Sequence, residues 1–378
     1  MSANFDNTIL KYFSNLEDPR IERTKQHQLV DIVAIAILAV ISGSDTWVAI
    51  ETYAQAKREW LETFLALLNG IPSHDTIARV FARLNPQAFE QCFHRWVGSI
   101  TEAIGAQVIP IDGKTVRQSF DRNSGQKAIH VVSAWASEHR LVLGQLKVDS
   151  KSNEITAIPK LLELLDIVGC IITIDAMGCQ KEIAAQIIAK NADYVLALKA
   201  NQSKLEGAVN SWFEKAQSNN FEGVDHSYHH TIESAHGRIE IRKYWSVPVE
   251  QLGEIPNQEK WSGLRSVGMV MCERRLWNKT TIEVRFYISS LEHDAVVLAH
   301  AVRSHWGIEN SVHWVLDMTF HEDASRIRKD NAPLNFSVLR RLSLNLLDKD
   351  KTVRGSVAMK RYRAGLDNNY LLQVIAAI

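Results

Sequence analysis

Two apolar runs determine the fold that we expect: Val108-Ile109-Pro110-Ile111-Asp112 and Ile171-Ile172-Thr173-Ile174-Asp175. Both are short, rich in β-branched residues and closed by an aspartate, which is the pattern of buried strands. A carboxylate at a strand end is held by a rigid element while its head reaches a surface crevice. A strand-terminal Asp is also a common turn former or helix cap, so one such ending carries little weight. Two of them in a single sheet point to a site.

The segments around these runs predict a mixed sheet with helices packed on it. Two further strand candidates lie between the runs, so three strands in succession can form an antiparallel meander. After the meander, strands alternate with helices, which requires right-handed crossovers into a parallel part. The added elements are strands at 130–135, 143–148 and 194–198 and helices at 154–165 and 180–190.

The first hundred residues have helical spacing instead. Apolar residues recur every three or four positions over Leu29–Ile41, and Gly43 closes that segment. We expect further helices at 47–67, from an N-cap at Ser73, and at 87–100. The helix after Ser73 carries Thr76, Arg79 and Arg83, which suit either a DNA groove or ordinary packing.

The last part of the chain first alternates with period two and then returns to helical spacing. Residues 228–288 therefore predict a β-rich block. Helices are expected from an N-cap at Asp294 through residue 320 and again over 335–347.

Composition excludes several classes of protein. Hydrophobic residues make up 46% and charged residues 23%, as in ordinary folded proteins and unlike disordered or collagen-like chains. Lys plus Arg and Asp plus Glu number 43 each, so net charge gives no global signal for nucleic acid. The four cysteines lack the spacing of a zinc site or disulfide framework, which favours a reducing, cytoplasmic setting. The longest apolar run has 13 residues, too few to cross a bilayer, and we see no signal peptide.

One segment is locally basic. From Ala324 to Arg363 there are eleven Lys and Arg residues against three Asp, a local excess of eight positive charges. On charge alone this indicates a solvated helical face. It becomes a candidate DNA-backbone contact if a site elsewhere acts on DNA.

The carboxylates give the chemical hypothesis. If their strands are neighbours, Asp112 and Asp175 can share divalent cations, because like charges held that close need metal to compensate them. Two or three carboxylates around an open site are what two-metal phosphoryl chemistry requires, and Mg²⁺ is the cation that prefers such oxygen ligands. The best third acid is Glu309, on a late helix. Glu322 and Asp323 are rivals that could instead cap a helix or pair with the basic segment.

The helix that carries Glu309 allows a second interpretation. His305, Glu309 and His313 are four residues apart and share one helix face. This face could be a metal site with histidine ligands, or a half-buried surface whose polar groups are satisfied. The carboxylates elsewhere favour a hard cation, so we expect two Mg²⁺ ions, with Mn²⁺ as a substitute.

Together these motifs resemble those of DDE insertion-sequence transposases, and more narrowly those of the H-repeat-associated proteins of bacteria. The likeness runs over nearly the whole chain with its motifs in order. The matching stretches are Ile111-Asp112-Gly113-Lys114-Thr115, Thr173-Ile174-Asp175-Ala176, Leu198-Lys199-Ala200-Asn201-Gln202, His236-Gly237-Arg238-Ile239-Glu240-Ile241-Arg242, Arg303-Ser304-His305-Trp306-Gly307-Ile308-Glu309-Asn310 and His313-Trp314-Val315-Leu316-Asp317.

The resemblance implies an α/β fold with a ribonuclease-H-like mixed sheet, flanking helices, a β-rich insertion and a helical amino-terminal domain. It puts the catalytic and metal-binding acids at Asp112, Asp175 and Glu309. The implied divisions are a helical DNA-end-binding domain at 1–103, the first part of the catalytic domain at 104–227, the insertion at 228–290, and completing helices with the basic segment at 291–378.

The implied activity is cleavage of double-stranded DNA at element ends and joining of the 3′ ends to target DNA, by a homo-oligomer associated with the nucleoid. One departure concerns phosphate contacts. Related transposases carry an Arg four residues before the Glu and a Lys seven after it, where this chain has His305 and Leu316. The predicted DNA-binding residues are Lys114, Arg117, Lys199, His236, Arg238, Arg242, Arg303 and His305.

Two alternatives stay open at this point. One is a nuclease that cuts DNA and promotes recombination without transposing. The other is a DNA-binding protein that has lost its chemistry. We find no glycine-rich phosphate loop and no nucleophile elbow, which disfavours an enzyme acting on small molecules.

Overall fold

A computed structural model of the chain describes residues 8–101, 105, 107–121, 124–149, 153–235 and 237–376. No helix in these ranges has the length and apolarity needed to cross a membrane. The amino-terminal part is helical, as the periodicity predicts. Its helices are α1 (Leu29–Ile41), α2 (Trp47–Ala56), α3 (Arg58–Leu61), α4 (His74–Arg83) and α5 (Pro86–Ile100).

Local signals explain where these helices begin. The Ser73 hydroxyl accepts a hydrogen bond from the Thr76 N–H, which confirms the predicted cap of α4. The predicted helix at 47–67 is too long, because α2 ends at Ala56 and α3 at Leu61. Beyond α3 a tertiary contact replaces the helical bonds, since the Leu67 N–H donates to the buried Asp31 carboxylate over 3.2 Å.

The remaining elements alternate and then become helical. The strands are β1 (Val108–Thr115), β2 (His130–Ala136), β3 (Leu141–Lys147), β4 (Ile171–Ile174), β5 (Asp193–Leu198), β6 (Ser227–Ala235), β7 (Arg238–Pro248), β8 (Ser266–Leu276) and β9 (Lys279–Ser289). The helices are α6 (Glu154–Leu164), α7 (Lys181–Ala189), α8 (Ser203–Ser218), α9 (Ala295–Ile308), α10 (Trp314–Met318), α11 (Ala332–Lys349), α12 (Val357–Leu366) and α13 (Asn368–Ala376).

In the described ranges the nine strands form one mixed sheet, in the order β3-β2-β1-β4-β5-β9-β8-β7-β6. The meander β1–β2–β3 is antiparallel, and β1, β4 and β5 pair in parallel, as predicted. The β-rich block does not stand apart from this sheet. Its last strand, β9, pairs antiparallel with β5, so the two hairpins continue the same hydrogen-bonded surface.

Helix α11, in the carboxyl-terminal part of the chain, connects the amino-terminal helices to the sheet. It packs on α1, α4, α5 and β3, and its side chains belong to the same core as the amino-terminal helices. This burial corrects the expectation that the basic segment as a whole faces solvent. Arg340, Arg341, Lys360 and Arg361 are buried, because partners inside the protein bind three of their charges: Glu322 pairs with Arg341, Asp350 with Lys360 and Asp45 with Arg361.

Candidate active site

The strand register brings Asp112 and Asp175 to the same edge of the sheet. Ile111 pairs with Ile174 across the parallel strands β1 and β4, so each aspartate is the next residue along its own strand. Neighbouring strands lie about 4.8 Å apart, so the two carboxylates start from adjacent backbone positions. The sequence could name the two aspartates but not this pairing.

Helix α9 crosses β1 and β4 and delivers Glu309 to the same edge. A glycine permits the close crossing, because a Cβ on Gly307 would lie 2.9 Å from the ring of Trp135 on β2. Directly after α9, Glu309–His313 form one π-helical turn, in which the Trp314 N–H donates to the Glu309 carbonyl. Such turns are rare and often occur at functional sites.

The three predicted acids line one cavity of about 170 Å³. Asp112 and Asp175 form part of its wall, and Glu309 lies on the helical side. Lys199, which follows β5, is exposed and lines the same cavity. Of the predicted DNA-binding residues, Lys199 and His305 therefore lie beside the acids.

Within the cavity, Asp112, Glu309 and His313 form a tighter group, which we call the open cluster. Their candidate ligand atoms all lie within 4.8 Å of one another. The Nδ1 atom of His313 is 3.4 Å from Asp112 Oδ2 and 3.5 Å from Glu309 Oε2. These separations are at the outer limit of a hydrogen bond.

Asp175 stands beside the open cluster but is not a member of it. One of its oxygens, Oδ1, accepts hydrogen bonds from the Met177 N–H at 3.0 Å and the Gly178 N–H at 3.3 Å. It thus acts as the cap of the 3₁₀ turn Ala176–Gly178, which is the common structural role of a strand-terminal Asp. Both of these hydrogen bonds use Oδ1.

Burial and crowding shape the charges of this site. Burial raises the pKa of Asp112 to about 6, with the nearby Glu309 and Glu154 carboxylates adding to the effect. Burial also raises the pKa of Asp175. The imidazole of His313 beside Glu309 lowers the pKa of that carboxyl group. The site is therefore rich in acids and short of nearby cations.

A fourth carboxylate lies behind β1. Glu154 Oε1 is 2.6 Å from His130 Nε2, and the pair packs on the backbone at Gly113, where any Cβ would overlap the Glu154 carboxylate. The His130 Nδ1 atom in turn lies 2.7 Å from the Thr115 hydroxyl. Sequence reasoning missed this pair, although the glycine directly after Asp112 is a signal for a close approach.

Lys114 belongs to a second acidic cluster, which we call the lysine cage: Lys114 with Asp317, Glu322 and Asp323. Its ammonium lies 2.8 Å from Asp317 and 2.8 Å from Asp323, and its side chain is only 7% exposed. The structure therefore does not present Lys114 to a phosphate, because its charge is already paired. Glu322 and Asp323, the rival third acids, are also bound here rather than in the cavity.

Two other predicted DNA contacts lie in contrasting environments. Arg117 is 80% exposed and pairs with Asp323 over 3.1 Å, so it stays accessible. His305 shares a hydrogen bond of 3.0 Å with the Thr173 hydroxyl. Burial lowers the pKa of His305 to about 4, so the ring is neutral at pH 7 and supplies no positive charge to a phosphate.

A second cavity, of about 210 Å³, opens beside the first and is lined by arginines. The two cavities share Arg285 and Trp306, whose guanidinium and ring centroid are 4.5 Å apart. The structure brings the predicted residues Arg238, Arg242 and Arg303 together in this second cavity and adds Arg274. His236 lies outside the described residues.

The arginines of the second cavity surround one carboxylate. Glu240 is buried and accepts ion pairs from Arg238 at 2.9 Å, from Arg274 at 3.1 Å and from Arg242. Arg242 is mostly buried, whereas Arg238, Arg274 and Arg303 are each about half exposed. Sequence reasoning missed Arg274 and Arg285, because their strands reach this cavity through pairing and not through any local motif.

Comparison with known families identifies two matching family models. A family model described as "Transposase DDE domain" matches residues 104–346, and one described as "DDE_Tnp_1-associated" matches residues 10–97. The chain belongs to the DDE transposase family. The resemblance drawn from the motifs is thereby confirmed.

Curated relatives of this family member cover nearly its whole length. It is 42% identical to "Putative transposase YncI" of Escherichia coli O157:H7, over 98% of this chain and 95% of the relative. It is 40% identical to "H repeat-associated putative transposase YhhI" of Escherichia coli strain K12, over 97% of both chains. Among solved structures, a piggyBac transposase synaptic complex with hairpin DNA aligns at a TM-score of 0.41 and 10% identity, which is too distant to carry an argument.

Proposed function

We propose that this protein is a DNA transposase that cuts DNA at the ends of an insertion element and joins the freed 3′ ends to target DNA. One observation carries the proposal. Three carboxylates from three distant parts of the sequence, Asp112, Asp175 and Glu309, line a single cavity. Such convergence costs folding energy, because like charges that lie close together repel, and it is typical of sites that bind cations.

The donor set fits a hard divalent cation. Carboxylate oxygens are the ligands that Mg²⁺ prefers, and a partly buried Asp112 whose pKa is raised to about 6 is short of a compensating positive charge. Two Mg²⁺ ions, with Mn²⁺ as a substitute, would activate water or a 3′ hydroxyl and stabilise the leaving oxygen at phosphorus. We assign Asp112, Asp175 and Glu309 as the residues that hold them.

The rest of the chain positions these acids. The parallel pairing of β1 and β4 fixes the two aspartates side by side, and the lysine cage ties β1 to the segment that follows Glu309. Lys199 at the cavity wall offers a positive charge to a phosphate of the substrate. In this proposal no side chain acts as a covalent nucleophile.

The arginine-lined cavity supports a path for the DNA backbone. It adjoins the acidic cavity through Arg285 and Trp306, so a strand that passes the acids would continue over exposed guanidinium groups. We propose Arg238, Arg274 and Arg303 as phosphate contacts there, with Arg117 outside the cavity. Arg242 instead holds Glu233 and Glu240 in place.

The proposal extends to the domains of the chain and to its assembly on DNA. We propose that β1 to β5 with their helices are a ribonuclease-H-like catalytic unit, that β6 to β9 are an insertion into it, and that residues 1–103 read the element ends. Arg79 and Arg83 of α4 are exposed and available for such contacts. Joining two ends requires the protein to act as an oligomer on DNA. We propose that it does so at the bacterial nucleoid.

The test is a cleavage assay on duplex DNA that carries the flanking repeats, in the presence of Mg²⁺, with Asp175→Asn beside the unchanged protein. We expect the variant to lose about 10³-fold or more in cleavage rate, since an amide cannot replace a charged ligand. Asp166→Asn is the matched control, because Asp166 is an exposed aspartate on the segment before β4, away from the cavity.

The other outcomes would change either the residues of the site or the function. Equal cleavage by Asp175→Asn and the unchanged protein would remove Asp175 from the site. Cleavage without joining of the ends would indicate a nuclease that promotes recombination. Binding of the repeats without cleavage under any divalent cation would indicate a DNA-binding protein without chemistry.

A further inference from the structure

The imidazole of His313 occupies an unusual place in the open cluster. The side chain is 7% exposed, and its Nε2 atom is buried with no hydrogen-bond partner among the described residues. Its Nδ1 atom points between the carboxylates of Asp112 and Glu309, at 3.4 Å and 3.5 Å. The nitrogen that faces the two acids is Nδ1, and this atom is the candidate donor to a cation.

The spacing of these three groups matches a ligand set better than a hydrogen-bond network. A single ring N–H makes one good hydrogen bond, yet Nδ1 is nearly equidistant from two oxygens and close to neither. Two donor atoms that each lie about 2.1 Å from one ion are roughly 3.0 to 3.5 Å apart. The two separations from Nδ1 fall at the upper end of that range, and all three candidate ligand atoms lie within 4.8 Å of one another.

The neighbouring histidine shows that this arrangement is particular to position 313. His305 lines the same cavity from α9, but its Nδ1 atom meets the Thr173 hydroxyl at 3.0 Å and it does not join the group of ligand atoms. The π-helical turn lies at Glu309–His313, between the acid and the imidazole. An irregular turn at that point is a second, independent sign of a functional site.

We propose that His313 is a metal ligand, which with Asp112 and Glu309 forms a mixed imidazole–carboxylate site for one divalent cation. The inference rests on the proposed function in that a divalent ion enters this cavity. Carboxylates and water suit both Mg²⁺ and Mn²⁺, whereas an added imidazole donor favours divalent transition metals over Mg²⁺. The site therefore discriminates in favour of Mn²⁺ more strongly than three carboxylates would.

The test measures metal binding rather than cleavage. Mn²⁺ alone is titrated into the full chain, with and without a short duplex that carries the repeats, and free Mn²⁺ is followed by electron paramagnetic resonance. Pulsed measurements on the bound ion then look for modulation by a directly coordinated ¹⁴N nucleus. We expect this nitrogen signal in the unchanged protein, where no substitution can have disturbed the fold.

Variants separate the ligand from its neighbours. His313→Phe should lose the nitrogen signal and bind Mn²⁺ at least about tenfold more weakly, with a smaller loss for Mg²⁺ measured by competition. His313→Gln, which keeps a polar side chain, serves as the second variant if the Phe variant is unstable. His305→Phe is the matched control, and it should keep the nitrogen signal.

Three results would overturn the proposal. If Mn²⁺ binding depends on Asp112 but gives no nitrogen signal, His313 is a counterion of the two acids and not a metal ligand. The proposed function would stand in that case. A nitrogen signal that is lost in His305→Phe and kept in His313→Phe would show that His305, and not His313, is the ligand. Failure of Mn²⁺ to bind in either the free or the DNA-bound protein would remove the site, and the cleavage assay above would decide the function separately.

Discussion

Two acidic clusters lie on either side of one short stretch of β1, and the protein treats them in opposite ways. In the lysine cage, three carboxylates meet the Lys114 ammonium, with Arg341 on Glu322 and Arg117 on Asp323 as further cations. In the open cluster, Asp112 lies two residues earlier on the strand, and the ion-pair partner that it shares with Glu309 among the described residues is the His313 imidazole. The chain supplies its own cations in the lysine cage and does not do so in the open cluster, where we propose that an ion from solution binds.

The electrostatics of the two clusters differ accordingly. Burial of Glu322 favours its neutral form, but the charges of Arg341, Arg340 and Lys114 outweigh burial and lower the pKa of this carboxyl group. Burial raises the pKa of Asp112 to about 6, because no comparable cation stands against it. A carboxylate of the lysine cage thus stabilises the fold as a charge, whereas Asp112 costs stability as a charge.

The largest effect should come from Asp112→Asn. We expect cleavage of repeat-bearing DNA in Mg²⁺ to fall by about 10³-fold or more, equivalent to about 4 kcal/mol. The same variant should be more stable than the unchanged protein by about 1 kcal/mol at pH 7.5, because the amide removes a buried charge whose folded-state pKa exceeds the unfolded value. Urea unfolding measures the second effect. A variant that lost stability together with activity would contradict the contrast between the clusters.

The next effect is of opposite sign and concerns the lysine cage. Lys114→Met should destabilise the fold by about 3 kcal/mol in urea unfolding, since it leaves Asp317, Glu322 and Asp323 with too few cations around them. Lys204→Met, at an exposed lysine of α8, is the control and should change stability by less than about 0.5 kcal/mol. Unchanged stability in Lys114→Met would mean that the cage does not hold β1 to the segment after α10.

The smallest effect concerns Glu90, a buried carboxylate that belongs to neither the lysine cage nor the open cluster. On α5 its Oε1 atom has no hydrogen-bond partner among the described residues, and burial raises its pKa to about 8. The folded-state pKa exceeds the unfolded value near 4.5, so stability is greatest below pH 4.5 and falls as the pH rises to about 8. Glu90→Gln should abolish this loss, with a gain of about 2 kcal/mol at pH 8.5 and little change at pH 5.

Thermal or urea unfolding at the two pH values measures this difference, and Glu59→Gln, an exposed acid of α3, is the control. A pH dependence that persists in Glu90→Gln would assign the effect to another buried carboxylate. In that event Asp31, whose pKa burial also raises, would be the next position to substitute.

Several elements could be predicted because their signals are local. The apolar run Leu29–Ile41 forms a helix with the same bounds, since its burial on every side follows from its composition. Both apolar runs were visible as β-branched segments that lead to a carboxylate, although β1 continues past Asp112 to Thr115, whereas β4 ends directly before Asp175. The motifs around these aspartates and Glu309 sufficed for the family, although the roles of the three acids stay predictions.

Other features could not be predicted because their partners are distant in the chain. Lys114 looked like an exposed DNA contact, yet its acids lie some two hundred residues later. Arg341 looked like part of a basic surface and is instead buried against Glu322. Charge along a sequence does not tell which side chains face solvent, because burial of a charge depends on the partner that folding brings to it.

The sequence by itself determined which residue types are able to hold a cation, which of the most periodic segments are helices or strands, and which family the chain resembles. These properties depend on residue type and on neighbours a few positions away. The tertiary structure decided that β1 and β4 lie side by side, that His313 rather than His305 meets Asp112 and Glu309, and that Lys114 is caged. Those outcomes depend on how strands pair and how helices cross, and packing settles them between residues that are far apart in the chain.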